Sequence, residues 1–243
     1  VLKYSKTSQV CQATLPDPGL ACAVIAKQSR PDSFRQHLRR WLGPSRAQRG
    51  FEQALRLLAC SIPTAAPLAV VDRCGRRAES WLVTQAIPDP VDLDNIALAL
   101  LPRTPPHAWR RIKNVLIQRI VELFVRLEEH RLAHRDLKAS NLLFTDWDSQ
   151  GDEPRLWVVD LDGLSAGKPG RRWQPHVRLA ASLAEYPTIT RTDCARLLKQ
   201  HLARTTVAGP TLWKSVWPTL APRVADYVRA ARARKIHKLD GEG

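Results

Sequence analysis

The segment His134-Arg135-Asp136-Leu137-Lys138-Ala139-Ser140-Asn141 brings an acid, a cation and an amide together within one short loop. Further along, the apolar run 156–159 ends in Asp160, so a second acid stands where a buried strand would stop. Phosphoryl transfer asks little covalent help of a protein. It needs a carboxylate near the attacking hydroxyl, oxygen ligands for magnesium, and cations on the phosphates. Asp136 is the candidate to accept or orient the acceptor proton, Lys138 to reach the γ-phosphate, and Asn141 with Asp160 to hold the metal. A His-Arg-Asp tripeptide alone is usually a surface turn. Here the spacing to Asn141, a long amphipathic segment before the loop and a strand with a terminal acid after it supply the context that the H-R-D-x-x-x-x-N template requires.

These residues need elements to position them. In 107–130 the apolar residues Ile112, Leu116, Ile120, Leu123 and Leu127 recur at steps of 4, 4, 3 and 4, which predicts a helix with one buried stripe. Upstream, 10–15 and 21–27 read as two strands around Pro16-Asp17-Pro18-Gly19, a hairpin closed by Lys27. Lys27 in Val24-Ile25-Ala26-Lys27 fits the strand lysine that contacts the α- and β-phosphates. The segment before it, Ser5-Lys6-Thr7-Ser8-Gln9, would cover the phosphates with hydroxyls and backbone N–H groups, because it has no glycine. A helix is predicted over 32–61, with Phe51, Leu55 and Leu58 at steps of four and three, and strands over 68–71 and 81–87. The expected fold class is α+β, a two-lobed protein-kinase-like arrangement: a small β-rich lobe over 1–88 and a larger, mainly helical lobe over 89–243.

The sequence resembles the lipopolysaccharide kinase (Kdo/WaaP) family. The similarity rests on Lys27, on Ser45-Arg46-Ala47, on Ile62-Pro63-Thr64 with Pro67-Leu68-Ala69, and on Trp81-Leu82-Val83-Thr84. It continues through the 134–141 loop, Asp160-Leu161-Asp162-Gly163, Ser182-Leu183 and Thr190-Arg191-Thr192-Asp193. The resemblance implies an ATP- and Mg²⁺-dependent phosphotransferase acting on a sugar hydroxyl, heptose or Kdo, of the lipopolysaccharide inner core. It also implies a cytoplasmic place, peripheral on the inner membrane. Where many relatives carry a Glu to pair with the strand lysine, this chain has Gly50. Glu52 is the nearest acid and the candidate partner, although two residues turn a helix by about 200°. Adenine is expected against the extended link 83–87, with Gln85 and Ile87 as its contacts.

Lys168, Arg171, Arg172 and Arg178 are candidates for the acidic groups of the acceptor, because arginine forks match carboxylates and phosphates. Segment 222–238 carries six basic residues against Asp226, with Val224, Val228 and Ala231 spaced for one face. It reads either as a helix lying on anionic lipid or as a packed helix with wet charges.

Composition narrows the alternatives. The 243 residues carry 38 Lys+Arg against 23 Asp+Glu, a formal charge of +15 that points to an anionic partner. No aromatic RNA-binding motif, zinc finger or helix-turn-helix signature accompanies that charge, which argues against nucleic acid. Five cysteines without a C-x-x-C pair suggest neither a zinc site nor a disulfide framework, and a reducing compartment fits best. The uncharged run 57–71 contains Pro63 and Pro67 and is shorter than the roughly 20 residues that span a bilayer. No apolar signal core is present in the first residues, and the chain contains no Met. The rivals to a sugar kinase are a kinase of the same fold acting on a protein or a small hydroxylated molecule, and a non-catalytic nucleotide or glycolipid binder.

Overall fold

The computed structural model describes residues 3–4, 8–15, 22–30, 43–73, 79–147, 153–167, 172–206 and 212–240. The chain forms two compact units, Val1–Asp89 with Trp157–Asp162, and Pro90–Leu156 with Gly163–Gly243. The acidic segment that follows the second apolar run thus belongs to the first unit, although it lies far downstream in sequence.

The first unit is built on a five-stranded antiparallel sheet in the order β1-β2-β3-β5-β4, from β1 (Lys3–Tyr4), β2 (Ser8–Leu15), β3 (Cys22–Ser29), β4 (Pro67–Arg73) and β5 (Glu79–Gln85). β2 and β3 pair with Val10 opposite Lys27, and β3 and β5 pair with Lys27 opposite Leu82. The turn expected at 16–19, residues 5–7 of the expected phosphate loop and the 32–42 part of the expected helix lie outside the described residues; Ser8 and Gln9 are part of β2.

Helix α1 (Arg46–Ala59) opens with a capping box. Ser45 Oγ accepts from the Gln48 N–H at 3.0 Å, and the Ser45 N–H donates to Gln48 Oε1 at 2.7 Å, so two otherwise orphaned amides are satisfied reciprocally. Its buried face is Ala47, Gly50, Ala54 and Leu57. The apolar residues whose spacing predicts the helix do not mark this face: Leu55 is 50% and Leu58 39% exposed. The face that packs is made of small residues, which let helix and sheet approach closely but register weakly as a hydrophobic pattern. A Cβ added at Gly50 would come within 2.9 Å of Leu82 Cδ2 on β5. The link between α1 and β4 holds the downstream segment: the Val158 N–H donates to Pro63 O at 3.0 Å, and Thr64 Oγ1 donates to Val158 O at 2.6 Å.

The second unit centres on α2 (Pro106–Glu129), whose Leu116, Ile120, Leu123 and Leu127 are all buried, as the 3.6-residue pattern requires. β6 (Val91–Asp92) pairs with β8 (Leu142–Thr145). β7 (Leu132–His134) pairs with β10 (Leu164–Ala166), putting His134 opposite Leu164. The strand β9 (Arg155–Val158) begins in this unit and ends in the other. Among the described residues three longer helices follow: α3 (Gln174–Leu183), α4 (Arg191–Thr205) and α5 (Leu212–Asp240). α5 contains Pro218 and Pro222. Its Leu220 joins Val177, Leu198 and Leu202 in a buried cluster on which Trp213, Trp217, Val224 and Tyr227 pack. This C-terminal helix therefore packs its apolar side on the core, with Trp213 and Trp217 partly buried against it. α2 and α4 are joined by a buried ion pair, Lys113 Nζ to Asp193 Oδ2 at 2.8 Å, and Lys113 also donates to Thr188 O at 2.9 Å. No helix among the described residues is long and apolar enough to cross a membrane.

Candidate active site

The 134–141 loop of the second unit is anchored at several points. His134 closes β7 and is fully buried, Leu137 is 0% exposed, and the Arg135 N–H donates to Gly163 O at 2.9 Å. Gly163 is needed for this approach: a Cβ there would lie 3.0 Å from His134 Cε1 and 3.1 Å from the Asp136 nitrogen. Ser182 Oγ on α3 accepts from the Ala139 N–H at 2.9 Å. Asn141, 5% exposed, donates from Nδ2 to the Asp136 carbonyl at 3.0 Å and so closes the loop on itself. Between these anchors the Asp136 side chain stays 42% exposed. Lys138 is half-buried and makes no ion pair among the described residues.

The Asp136 carboxylate is held from α3. Arg178 Nε donates to Asp136 Oδ1 at 2.7 Å, Arg178 Nη2 lies 2.6 Å from the same oxygen, and the guanidinium sits 4.8 Å over the Tyr227 ring of α5. Arg178, expected to bind acceptor, instead grips the carboxylate expected to act as base. Arg172, the other described acceptor candidate, pairs with Glu128 Oε1 at 2.7 Å and stacks over Trp173 at 4.7 Å. Lys168 and Arg171 lie outside the described residues.

The first unit holds a second charged centre. Lys27 Nζ lies 2.5 Å from Asp160 Oδ1 and 3.5 Å from Asp162 Oδ2, and Arg46 Nε donates to Asp162 Oδ2 at 2.6 Å. Two carboxylates from one turn thus meet a cation from β3 and a cation from the first turn of α1. Asp160 has φ of 60°, a left-handed conformation unusual for a residue with a Cβ and one that recurs where function fixes the backbone. All four side chains are partly exposed, so these pairs add little stability and act mainly by placing the groups. Glu52 is exposed on the far side of α1 and makes no ion pair with Lys27. The expected partnership is corrected: two residues past Gly50 the helix has turned away, and Asp160 and Asp162 take the lysine.

At the end of β5 the Gln85 N–H donates to Ala66 O and the Ala86 N–H to Ala23 O, each at 2.8 Å. Those two amides serve the sheet, so of the expected adenine contacts Ile87 is the one beyond the strand.

Arg46, Asp162, Gly163 and Ser182 join these centres only through the fold, although each lies within a motif that carries the family resemblance. Their signal was the acid pair Asp160-x-Asp162 and the arginine beside the Ser45 cap. Among the described residues no group of three or more His, Cys, Asp or Glu is arranged to hold a metal. The expected ligand pair draws Asn141 from the second unit and Asp160 from the first.

No curated protein sequence matches the chain. A solved structure of WaaP in complex with acyl carrier protein is similar in fold, with a TM-score of 0.65 and 20% identity, covering 95% of this chain and 86% of that one. The model of the lipopolysaccharide kinase (Kdo/WaaP) family matches residues 26–201, from the strand bearing Lys27 into helix α4, which contains Asp193, and this is well over half of the sequence. The chain belongs to the lipopolysaccharide kinase (Kdo/WaaP) family.

Proposed function

We propose that this kinase transfers the γ-phosphate of ATP to a hydroxyl of heptose or Kdo in the lipopolysaccharide inner core. The observation that supports the reading is the Lys27–Asp160 contact, which brings the lysine expected to meet the phosphates against the acid expected to hold the metal, residues 133 apart in sequence. Asp136, exposed and held in place by Arg178 and the closed loop, accepts or orients the proton of the acceptor hydroxyl. The hydroxyl oxygen bonds to the γ-phosphorus as the bond to the bridging oxygen breaks, and ADP leaves with those electrons. Lys27, and Lys138 from the loop, offset the negative charge of the phosphates.

Asp160 and Asp162 are hard oxygen donors held by cations in a turn, which suits a magnesium ion. Asp160 and Asn141 would hold it. When bound, Mg²⁺ would neutralise phosphate charge. Arg46 holds Asp162 in an ion pair of its own, so Lys27 would serve the nucleotide phosphates.

The acceptor belongs to a membrane lipid, so the kinase works at the cytoplasmic face of the inner membrane, with the arginine-rich end of α5 offered to anionic headgroups. One observation favours a second reading. Gly50 leaves the helix without an acid toward the sheet, as in a kinase that binds nucleotide without turning it over. Purified protein, ATP, Mg²⁺ and core oligosaccharides distinguish the two. Phosphorylated sugar from the wild type, lost in Asp136→Ala and Asp160→Ala, supports transfer. Thermal stabilisation by ATP with no ATP consumed, across several acceptors, supports the binder.

A further inference from the structure

Helix α5 supplies no group to the acceptor hydroxyl, the phosphates or the metal, yet one of its side chains lies against the residue that holds Asp136. The Arg178 guanidinium sits 4.8 Å over the Tyr227 ring, and two of its nitrogens, Nε and Nη2, meet Asp136 Oδ1 at 2.7 and 2.6 Å. Among the described residues Asp136 Oδ2 accepts no hydrogen bond, so the fork fixes one oxygen and leaves the other for a proton.

An arginine fixes a carboxylate only as well as its own plane is fixed, because the fork sits on a long flexible stem. The face of an aromatic ring carries partial negative charge. It attracts the guanidinium, holds its plane, and leaves the N–H edge free to donate. An aliphatic side chain would fill the same space and supply neither the attraction nor the plane. The acid next to the ring, Asp226, is already paired with Arg229, so Arg178 meets α5 through an aromatic face and not through a second carboxylate. The Tyr227 hydroxyl makes no hydrogen bond among the described residues, which leaves the ring as the part that matters.

The ring is itself held. Tyr227 packs on the buried cluster of Val177, Leu198, Leu202 and Leu220, and Val177 precedes Arg178 on α3. Pro218 and Pro222 each remove one bond of the α5 ladder before Tyr227, so the ring is placed by this packing as well as by the helix.

We infer that Tyr227 is a positioning residue for phosphate transfer, acting through Arg178: the ring fixes the guanidinium plane, and the guanidinium fixes Asp136 Oδ1. This rests on the reading of Asp136 as the group that meets the acceptor hydroxyl. Helix α5 thereby helps to aim the base as well as to cover the core, and a change that displaces α5 at Tyr227 loosens Asp136.

Two substitutions in the full chain separate the ring from its bulk. Tyr227→Phe keeps the aromatic face, and Tyr227→Leu keeps apolar packing without it. Nitrogen NMR of the Arg178 Nε–H, assigned by its loss in Arg178→Gln, reads the contact itself. The signal stays in place in Tyr227→Phe. In Tyr227→Leu it moves toward that of a free arginine, with exchange against water at least 10-fold faster. With ATP, Mg²⁺ and core oligosaccharide, kcat falls by about 3- to 30-fold in Tyr227→Leu, the scale of one cation–π contact, and KM for ATP stays within about two-fold. Tyr227→Phe keeps the wild-type kcat. In an Arg178→Gln background Tyr227→Leu has no further effect on kcat, as expected of two residues that act as a unit. Cooperative melting verifies each fold, and Tyr227→Met takes the place of Tyr227→Leu if that protein does not melt in one step. An Nε–H signal that Tyr227→Leu leaves unmoved, or equal losses of kcat in Tyr227→Phe and Tyr227→Leu, overturns the inference and makes Tyr227 core packing only. A wild type inactive on every acceptor, with the signal moving as described, supports the Tyr227–Arg178 contact and overturns the reading of Asp136 as the base.

Discussion

Arg178 holds the Asp136 carboxylate directly. Its guanidinium grips one carboxylate oxygen through two nitrogens and is itself backed by the Tyr227 ring. A lysine would supply the charge without the fork or the stacking. Arg178→Lys is therefore expected to lower kcat by roughly 10- to 100-fold, the scale of a misplaced reacting group, while leaving KM for ATP within about two-fold. Steady-state kinetics on both substrates checks this, and a change confined to acceptor KM would return Arg178 to the acceptor-binding role. Gly163→Ala tests the same loop from beneath, because the new methyl meets His134 and the Asp136 amide. Activity should fall more than thermal stability does, measured side by side. At this scale Asp136, Asn141, Lys27 and Asp160 were legible because fixed spacing or a strand end marks them. Arg46 and Asp162 were not, because their pairing is created by the fold between positions far apart in the chain.

At the scale of elements, sequence patterns succeeded where apolar bulk and burial coincide and failed where they part. α2 is buried along the stripe its leucines and isoleucines predicted. α1 turned the other way, because Ala47, Gly50 and Ala54 pack while Leu55 and Leu58 stay exposed. The pairing of α3 with α4 through the buried His176 and His201, whose Nε2 and Nδ1 lie 3.1 Å apart, was invisible, since nothing in a one-dimensional pattern marks two histidines that meet across helices. It has a consequence for stability. Burial makes both imidazoles titrate lower in the folded chain than the ordinary value of 6.5, so the folded state binds fewer protons than the unfolded one. Their contribution is fully present above about pH 6.5 and is lost as pH falls, for His201 down to about pH 4, at about 1.4 kcal/mol per pH unit per histidine. Urea unfolding at pH 7 and pH 5 should show that loss, and His201→Phe should flatten it. An unchanged slope would mean that the pair is not buried neutral in solution. Leu220→Ala on α5 should cost about 2–5 kcal/mol by opening the cluster with Val177, Leu198 and Leu202. Loss of cooperativity in the same melts would indicate that α5 folds apart from the unit.

For the molecule as a whole, the surplus of +15 divides among tasks. Lys27 and Arg46 answer the carboxylates Asp160 and Asp162, Arg178 answers Asp136, and Lys113 is buried against Asp193. Under the proposed function, the exposed arginines of α5, including Arg223, Arg229 and Arg234, are the candidates to meet an anionic membrane surface. Binding to vesicles with anionic lipid should weaken as salt rises from 0.05 to 0.5 M, since exposed charges are screened beyond about 10 Å at 0.1 M. Binding indifferent to salt would remove the membrane from the account. Phosphate transfer to a core sugar is read directly by mass spectrometry of core oligosaccharide after incubation with ATP and Mg²⁺. A gain of one phosphate group on heptose or Kdo is expected with the wild type, and a rate lower by about 10²- to 10⁴-fold with Asp136→Asn. An oligosaccharide unchanged in mass with the wild type, while the protein binds ATP, would rule transfer out.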